Sequence, residues 1–202
     1  MRPMPGRWRR TNPLALAVLT CLLERPMHPY EVAQTLKQRA KHESIKLNYG
    51  SLYNVVDALE HHGFIEPRET VKAGRRPERT VYAITPTGTR EMTDWLADLI
   101  ATPTDEFPQF IAALSLLAAL PPDEAVALLH QRADVLDVLL GARRGAARAA
   151  SDTGIPRLFT IEDELREAFL VTEIDFVRRL IKDIEGGQLD GLDLWRSFYQ
   201  DS

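Results

Sequence analysis

YGSLYNVVDALEHHG at residues 49–63 is followed without a break by FIEPRETV at 64–71, KAGRRPE at 72–78 and RTVYAIT at 79–85. We predict a helix, a strand, a tight turn and a return strand for these four segments. A short helix followed at once by a basic two-stranded hairpin is the outline of a winged helix, and winged helices mostly bind DNA.

The predicted helix at 49–63 has one face for a core and one face that is free. At ~100° per residue its apolar residues share one stripe, and small or polar residues lie opposite. The stripe contains Leu52, Val55, Val56 and Leu59, and the opposite face contains Gly50, Asn54, Asp57 and His61. Gly50 and Ser51 carry little bulk, which lets backbone amides and the hydroxyl group approach a phosphate at the positive end of the helix.

Three further side chains flank the start of this helix and are candidates for DNA contact. Asn54 carries an amide that can bond bidentately to adenine in the major groove. The hydroxyl groups of Tyr49 and Tyr53 suit phosphate or sugar. The alternative is that both tyrosines are core aromatics and that Ser51 only caps the helix.

The predicted hairpin tip carries a cluster of positive charge. Gly74 permits a turn with positive φ, and Pro77 stiffens it. Within eight positions the single acid Glu78 stands among four basic residues, Lys72, Arg75, Arg76 and Arg79. Arginines at such a tip fit a narrow minor groove, where the potential is most negative. The alternative is a charged turn that is only solvated.

Charge is divided unevenly along the 202 residues. Residues 1–90 hold 15 Lys and Arg against 8 Asp and Glu, whereas residues 91–202 hold 10 against 21. A basic half of net charge +7 therefore precedes an acidic half of −11, within an overall charge of −4. Phosphates would repel the acidic part, which favours a single docking face for nucleic acid.

The cysteine content and the length of the apolar segments indicate the cellular compartment of the protein and whether it crosses a membrane. Cys21 is the only cysteine, which excludes an internal disulfide and predicts a cytoplasmic protein. The apolar run at 14–23 has ten residues, where a membrane span needs ~20. No small-residue cleavage site follows it, so we predict an internal helix behind a basic arm and no signal peptide.

We predict a mainly α-helical protein of four parts. A flexible basic arm at 1–12 precedes a winged helix domain at 13–101, and a linker at 102–108 precedes an all-helical dimerisation domain at 109–202. The arginines of the arm are Arg2, Arg7, Arg9 and Arg10. Short basic arms can reach DNA, and the alternative is a disordered terminus without a partner.

The first domain has the order of a helix-turn-helix. We expect a first helix from about Leu14 to Glu24 and a second from Pro29, because proline suits the first helical position. The helix at 49–63 is then the third and is the recognition helix. After the hairpin, Thr85 and Pro86 begin an amphipathic fourth helix.

Three helices are expected in the C-terminal domain, near 109–120, from 122 to about 150 and from 160 to 185, while the stretch 141–151 fits helix or loop. Thr160 and Asp163 resemble a capping box at the start of the last helix. The apolar residues of that helix sweep roughly 220°, which is wider than one neighbour covers. The economical second partner is another copy of the chain. The candidate dimerisation residues are Leu165, Phe169, Phe176, Leu180 and Ile184.

Aromatic residues are candidates for a small-molecule pocket, although aromatics at helical spacing are more often core. The candidate effector-binding residues are Trp95, Phe107, Phe110 and Phe169. No recognisable metal spacing joins the five histidines to acids or to the cysteine, and no Gly-rich phosphate loop follows a strand. We therefore expect no enzyme activity, no cofactor and no metal.

Three segments together resemble the PadR family of bacterial transcriptional regulators. They are ALAVLTCLLERPMHPYEVAQTLK, NYGSLYNVVDALEHHGFIEPRE and GRRPERTVYAITPTGTREMTDWL. The resemblance covers about residues 12–100. Its specificity comes from the combination of a Gly-Ser-Leu-Tyr helix start, a Gly-Arg-Arg-Pro wing and a Tyr-x-Ile-Thr-x-x-Gly exit.

The resemblance implies a homodimer that binds a pseudo-palindromic operator, with the C-terminal helices forming the dimer. Many members are repressors that small aromatic or drug-like molecules release. The positions that match the family's DNA-facing pattern are Tyr30, Gly50, Ser51, Tyr53, Arg75 and Arg76. The chain departs from the pattern at Pro29, where glycine is usual, and at Asn54, where proline is common. The second departure offers a polar side chain, which implies a different operator sequence.

We therefore expect a transcriptional repressor that binds double-stranded DNA as a homodimer. We expect a small aromatic effector to relieve the repression. The alternative is a winged-helix module for protein-protein contact without sequence-specific DNA binding, because one fold hosts both roles. The charge division and the arginine-rich hairpin favour DNA.

Overall fold

The computed structural model describes residues 8–71 and 79–199, without the side chains of 69–71 and 79. The chain separates into two compact units, Met1–Asp105 and Glu106–Ser202, here called the N-terminal and C-terminal units. Each unit has its own hydrophobic core. The predicted fold class is confirmed, since helices with a two-stranded wing are followed by long helices.

The described N-terminal unit contains four helices and one antiparallel strand pair. In chain order the elements are α1 Pro13–Glu24, α2 Pro29–Gln38, a 3-10 turn Lys41–Glu43, α3 Tyr49–His61, β1 Ile65–Val71, β2 Arg79–Ile84 and α4 Pro86–Ala101. Helix α1 is apolar on nearly all sides and contacts α2, α3, α4 and β2. It is therefore the centre of the unit.

Side-chain caps fix where the two helices of the helix-turn-helix begin. The Nδ1 atom of His28 accepts a hydrogen bond from the Tyr30 amide at 3.1 Å, and the Glu31 carboxylate accepts one from the His28 amide at 2.9 Å. At α3, the Asn48 side chain accepts from the Gly50 amide at 2.9 Å. Both helices therefore start at defined residues, because these side chains satisfy backbone amides that would otherwise have no hydrogen-bond partner.

Helix α3 buries the predicted apolar stripe. The buried residues on this helix are Leu52, Val55, Val56 and Leu59. The residues of the opposite face, Gly50, Asn54, Asp57 and His61, are exposed. The periodicity of this segment thus predicted correctly which side faces the core.

Strands β1 and β2 form the wing and are anchored to the helices at their base. Ile65 lies opposite Ile84, and the register shifts just after Pro67, which has no N–H to donate. The main chain of Met27, between α1 and α2, pairs with that of Tyr82 through two hydrogen bonds of 3.0 Å. This bridge ties the wing to the helix-turn-helix.

Residues 8–12 pack on the N-terminal unit, which corrects the expectation of a flexible arm over this part. The Trp8 ring contacts the rings of Phe64 and Trp95 with centroids 5.2 and 6.1 Å apart. Its Nε1 donates to the Glu91 carboxylate at 2.9 Å. The ring contacts and the satisfied N–H of Trp8 hold this short segment on the core.

Arg10 reinforces this attachment. Its guanidinium forms an ion pair with Glu91 at 2.7 Å and a second with Asp98. The hydrogen bond from Arg10 holds the pKa of Glu91 below its usual range. The Arg10 side chain is thus paired with acidic residues of α4. Arg2 and Arg7 lie outside the described residues.

The C-terminal unit is all-helical in its described residues. Its elements are α5 Gln109–Ser115, a 3-10 turn Leu117–Ala119, α6 Pro122–Asp152, a 3-10 turn Arg157–Phe159, α7 Ile161–Glu185 and α8 Leu192–Ser197. Helices α6 and α7 pack along each other. Helix α8 is held to the unit because the Trp195 Nε1 donates to the Leu120 carbonyl at 2.8 Å.

Four details of this unit differ from the prediction or complete it. The single helix expected at 109–120 is broken after Ser115, α8 was not predicted, and the stretch 141–151 is helical. The capping box at Thr160 is wrong, since its hydroxyl donates to the Arg157 carbonyl at 3.3 Å and no side chain caps α7. Asp163 pairs instead with Arg143 at 3.0 Å.

Candidate nucleic-acid interface

The candidate interface on the N-terminal unit is formed by α2 and the start of α3. Tyr30, Tyr49 and Tyr53 are 45%, 41% and 46% exposed. This half-exposure disfavours the alternative that Tyr49 and Tyr53 are core aromatics. Ser51 and Asn54 are exposed beside them, so the start of α3 offers hydroxyl and amide groups to a ligand.

Tyr49 is held between two residues of α2. Its ring stacks on that of Tyr30, with centroids 6.3 Å apart and planes 18° from parallel. The Lys37 ammonium lies 3.3 Å from the Tyr49 hydroxyl oxygen and 4.8 Å from the ring centroid. The sequence predictions did not include Lys37. Its spacing of seven residues from Tyr30, about two helical turns, is the signal that places both on one face of α2.

The amide of Gly50 is already used. It donates to the Asn48 side chain at 2.9 Å, and the same oxygen would lie 3.5 Å from a Cβ at Gly50. A phosphate at this amide would therefore have to displace the Asn48 side chain. The hydroxyl of Ser51 does not carry this restriction.

The described part of the wing is its base. Lys72, Arg75 and Arg76 lie outside the described residues, and Arg79 begins β2 without a described side chain. At the base, burial raises the pKa of Tyr82 to about 12, with a further contribution from nearby Glu60 on α3. Tyr82 thus contacts α3 with its side chain while its backbone pairs with the α1–α2 connection.

The candidate effector residues are divided between the two units. Trp95 is 2% exposed in the N-terminal core, whereas the three phenylalanines belong to the C-terminal unit. Phe107 and Phe169 are 91% and 64% exposed, and the Arg132 guanidinium lies 3.5 Å above the Phe110 ring centroid. A cleft of about 440 Å³ on α7 is lined by Glu164, Glu167, Ala168, Val171 and Thr172. It contains none of the four candidates, so their effector role stays a prediction.

The candidate dimerisation residues divide by burial. Leu165, Phe169 and Phe176 are exposed on α7. Ile184 is 3% exposed in the C-terminal core, and Leu180 packs against that core. The structure therefore corrects the assignment of Ile184 to an intermolecular face, because its side chain is used within the unit.

The described residues give no support to two other classes of site. No helix there combines the length and apolarity that a bilayer span requires. No group of three or more His, Cys, Asp or Glu side chains in the same residues is arranged to hold a metal ion. Burial raises the pKa of the Cys21 thiol to about 11, which is typical of an unreactive core cysteine.

Solved structures similar to this one cover nearly the whole chain. PadR of Bacillus subtilis in complex with p-coumaric acid is 16% identical with a TM-score of 0.68, covering 90% of this chain and 99% of that one. The same protein in complex with operator DNA is 20% identical with a TM-score of 0.66, covering 88% and 99%. The PadR-like regulator BC1756 of Bacillus cereus is 16% identical with a TM-score of 0.59, covering 86% and 99%. At these identities the likeness concerns the fold alone.

Sequence comparison finds a family model that matches part of the N-terminal unit. No curated protein matches the chain significantly. Residues 18–94 match the profile described as the transcriptional regulator PadR-like family, and these residues span most of α1 through most of α4, including both wing strands. The match covers less than half of the chain, and within those residues the chain is similar to the PadR-like family of transcriptional regulators.

Proposed function

We propose that this protein is a DNA-binding transcriptional repressor, that it binds a pseudo-palindromic operator as a homodimer, and that a small aromatic effector releases it. The match of residues 18–94 to the PadR-like family model supports a regulatory and not an enzymatic role. The observation that carries the proposal is the exposed polar start of α3 beside an antiparallel hairpin. A recognition helix of this kind enters the major groove, and a basic wing contacts the adjacent backbone or minor groove.

The homodimer is supported by an exposed apolar stripe on α7. The stripe consists of Ile161, Leu165, Phe169 and Phe176, which are all exposed. Large apolar side chains in a continuous stripe mark a contact surface in a soluble protein. A two-fold dimer would place two recognition helices about one helical turn of DNA, ~34 Å, apart, which is why the operator is proposed to contain two inverted half-sites.

The effector class is supported by chemistry and by a relative. PadR of Bacillus subtilis has been solved with p-coumaric acid, an aromatic acid. The C-terminal unit of this chain presents exposed phenylalanines at 107 and 169. An aromatic molecule that binds the free protein more tightly than the DNA complex would lower operator affinity.

Selection of bound fragments from the source genome with purified full-length protein tests the proposal. We expect enriched fragments to share an inverted repeat, and we expect log K to fall linearly with log salt because binding to phosphates releases counterions. Failure to retain any duplex at low salt would favour the protein-contact alternative. Adding p-coumarate and other aromatic acids to the same assay tests the effector class.

Two residues of the recognition helix are expected to carry sequence discrimination. Tyr53→Ala or Asn54→Ala should weaken binding to a selected operator by ~1 to 3 kcal/mol for each base-specific interaction that is removed, with an unchanged melting temperature. Thr93→Ala, at an exposed position on α4, is the matched control and should bind as the wild type does. Wild-type affinity in both α3 variants would remove them from the interface.

The wing is expected to supply charge and little sequence discrimination. Replacing Arg75 and Arg76 by alanine should weaken binding to all duplexes and flatten the dependence of log K on log salt by about 0.9 for each phosphate that is no longer neutralised. The control replaces Arg148 and Arg179, two exposed arginines of the C-terminal unit, and removes the same charge. Equal slopes for the two double variants would show that the wing tip does not touch DNA.

A further inference from the structure

We propose that Lys37 and Tyr49 form a phosphate-binding pair for the DNA backbone beside the recognition helix, with Tyr30 holding Tyr49 in position. The inference rests on the proposed DNA-binding function. It adds Lys37 on α2, which neither the family resemblance nor the sequence pattern assigned to DNA, and it joins this residue to the Tyr49 hydroxyl. The ligand is one phosphodiester group of duplex DNA.

The donors of this pair point to an oxyanion. Lys37 donates to the Tyr49 hydroxyl oxygen at 3.3 Å, so the hydroxyl proton of Tyr49 is left to donate elsewhere. The ammonium group keeps further N–H donors beside it. A neighbouring positive charge polarises the O–H bond and strengthens its donation. A positive charge and a polarised hydroxyl at one point of an exposed surface match a phosphate oxygen.

Lys37 keeps its positive charge available. Three arginines of the same unit are neutralised, as Arg10 pairs with Glu91, Arg39 with Glu24 and Arg68 with Glu66. In the described part of the chain, Lys37 contacts the Tyr49 ring and hydroxyl and forms no ion pair. Binding a phosphate therefore does not require breaking a salt bridge at this residue.

The pair is also held in place before any ligand arrives. The Tyr30 ring stacks on Tyr49 at 6.3 Å, and the Tyr30 backbone is fixed because its amide donates to His28. The two tyrosines remain nearly half exposed, so core packing does not account for their position. A pre-positioned donor loses less conformational entropy on binding, which strengthens the interaction.

Salt titrations with a mixed-sequence duplex test the pair, since binding to phosphate is independent of base sequence. At about 0.1 M salt, Lys37→Gln should weaken binding about eight-fold for each protomer bound. The slope of log K against log salt should become less steep by about 0.9 for each protomer. Lys37→Arg keeps the charge and should keep the slope. Tyr49→Phe keeps the ring and should weaken binding about five-fold without changing the slope, as expected for one hydrogen bond.

Arg90→Gln, which removes an exposed charge from α4, is the control and should leave the slope unchanged. Wild-type affinity and slope in Lys37→Gln, with salt-dependent binding by the wild type, would overturn the pair and leave the proposed function standing. Weaker binding by Lys37→Gln without a change of slope would overturn the pair as well, because the lysine would then only support the tyrosine. A wild-type protein that binds no duplex would overturn both proposals.

Discussion

Gly88→Ala is expected to lower the free energy of unfolding of the N-terminal unit by about 3 kcal/mol or more. A Cβ atom at this position would lie 2.0 Å from the Phe64 carbonyl oxygen and 2.8 Å from its carbon. These are backbone atoms and cannot rotate away, so α4 must move as a whole. The move would also disturb Thr85, whose hydroxyl donates to the Gly63 carbonyl at 2.7 Å and accepts from the Gly88 amide at 3.0 Å.

Urea unfolding of the full chain, followed by far-ultraviolet circular dichroism and tryptophan fluorescence, measures this effect. Trp8 and Trp95 report on the N-terminal core, and Trp195 reports on the C-terminal unit. Gly50→Ala is the matched control, because its nearest neighbour would be 3.5 Å away, and it should change stability by less than about 0.5 kcal/mol. Equal stability of the two alanine variants would show that α4 does not require a glycine where it meets Phe64.

Local chemistry explains why the winged helix could be predicted from the sequence. The stripe of α3 repeats over a full helix, and the start of α4 follows from Thr85, whose hydroxyl caps the Gly88 amide, and from Pro86 at the first helical position. Both signals involve residues only a few positions apart. The close approach that demands Gly88 could not be predicted in this way, because it joins α4 to the turn after α3 across more than twenty residues.

The start of α7 shows how tertiary contacts can override a local signal. Thr160 has φ −130° and ψ 8°, which is not the extended conformation from which a capping side chain reaches forward. A 3-10 turn precedes it, and Asp163 is drawn to Arg143 on the neighbouring helix. The sequence contained the residues of a capping box, but the packing of α7 on α6 decided their partners.

Three further features were not predicted because no local sequence pattern indicates them. Residues 1–12 have the composition of a mobile arm, yet Trp8 reaches Glu91 and Trp95 more than eighty positions away. Lys37 belongs to no local motif, and its proposed role depends on its contact with Tyr49 on the next helix. Helix α8 has six residues, which is too short for a periodic signal.

The wide apolar arc of α7 was predicted, but its division into a buried side and an exposed side was not. One side, with Ile174, Val177, Ile181 and Ile184, is buried within the unit. The other side, with Leu165 and Phe169 at its centre, is exposed. The periodicity of a helix defines the width of an apolar arc, whereas the position of α6 determines which part remains for a partner. The exposed side is therefore the part to change in a test of the dimer.

Leu165→Glu combined with Phe169→Glu is expected to convert a dimer into monomers near 22.8 kDa. Two carboxylates on each copy would have to be buried without partners, which costs far more than exposing them. A monomer binds only one half-site, so the gain from binding both half-sites at once is lost. Affinity for an operator with two half-sites should therefore fall by about 100-fold or more. Sedimentation at micromolar concentration and an operator titration measure the two effects.

The control for this variant adds the same charge elsewhere. Gln109→Glu combined with Gln188→Glu changes two exposed positions outside the α7 stripe and should remain dimeric with only a small loss of affinity. Circular dichroism should show native helix content in both double variants, because Leu165 and Phe169 lie outside the buried core. A wild-type chain that sediments as a monomer would overturn the proposed dimer. A Leu165 and Phe169 variant that stays dimeric with full operator affinity would place the interface elsewhere. Removing residues 160–202 is a less specific test, since α6 packs along α7 and would lose its own core partner.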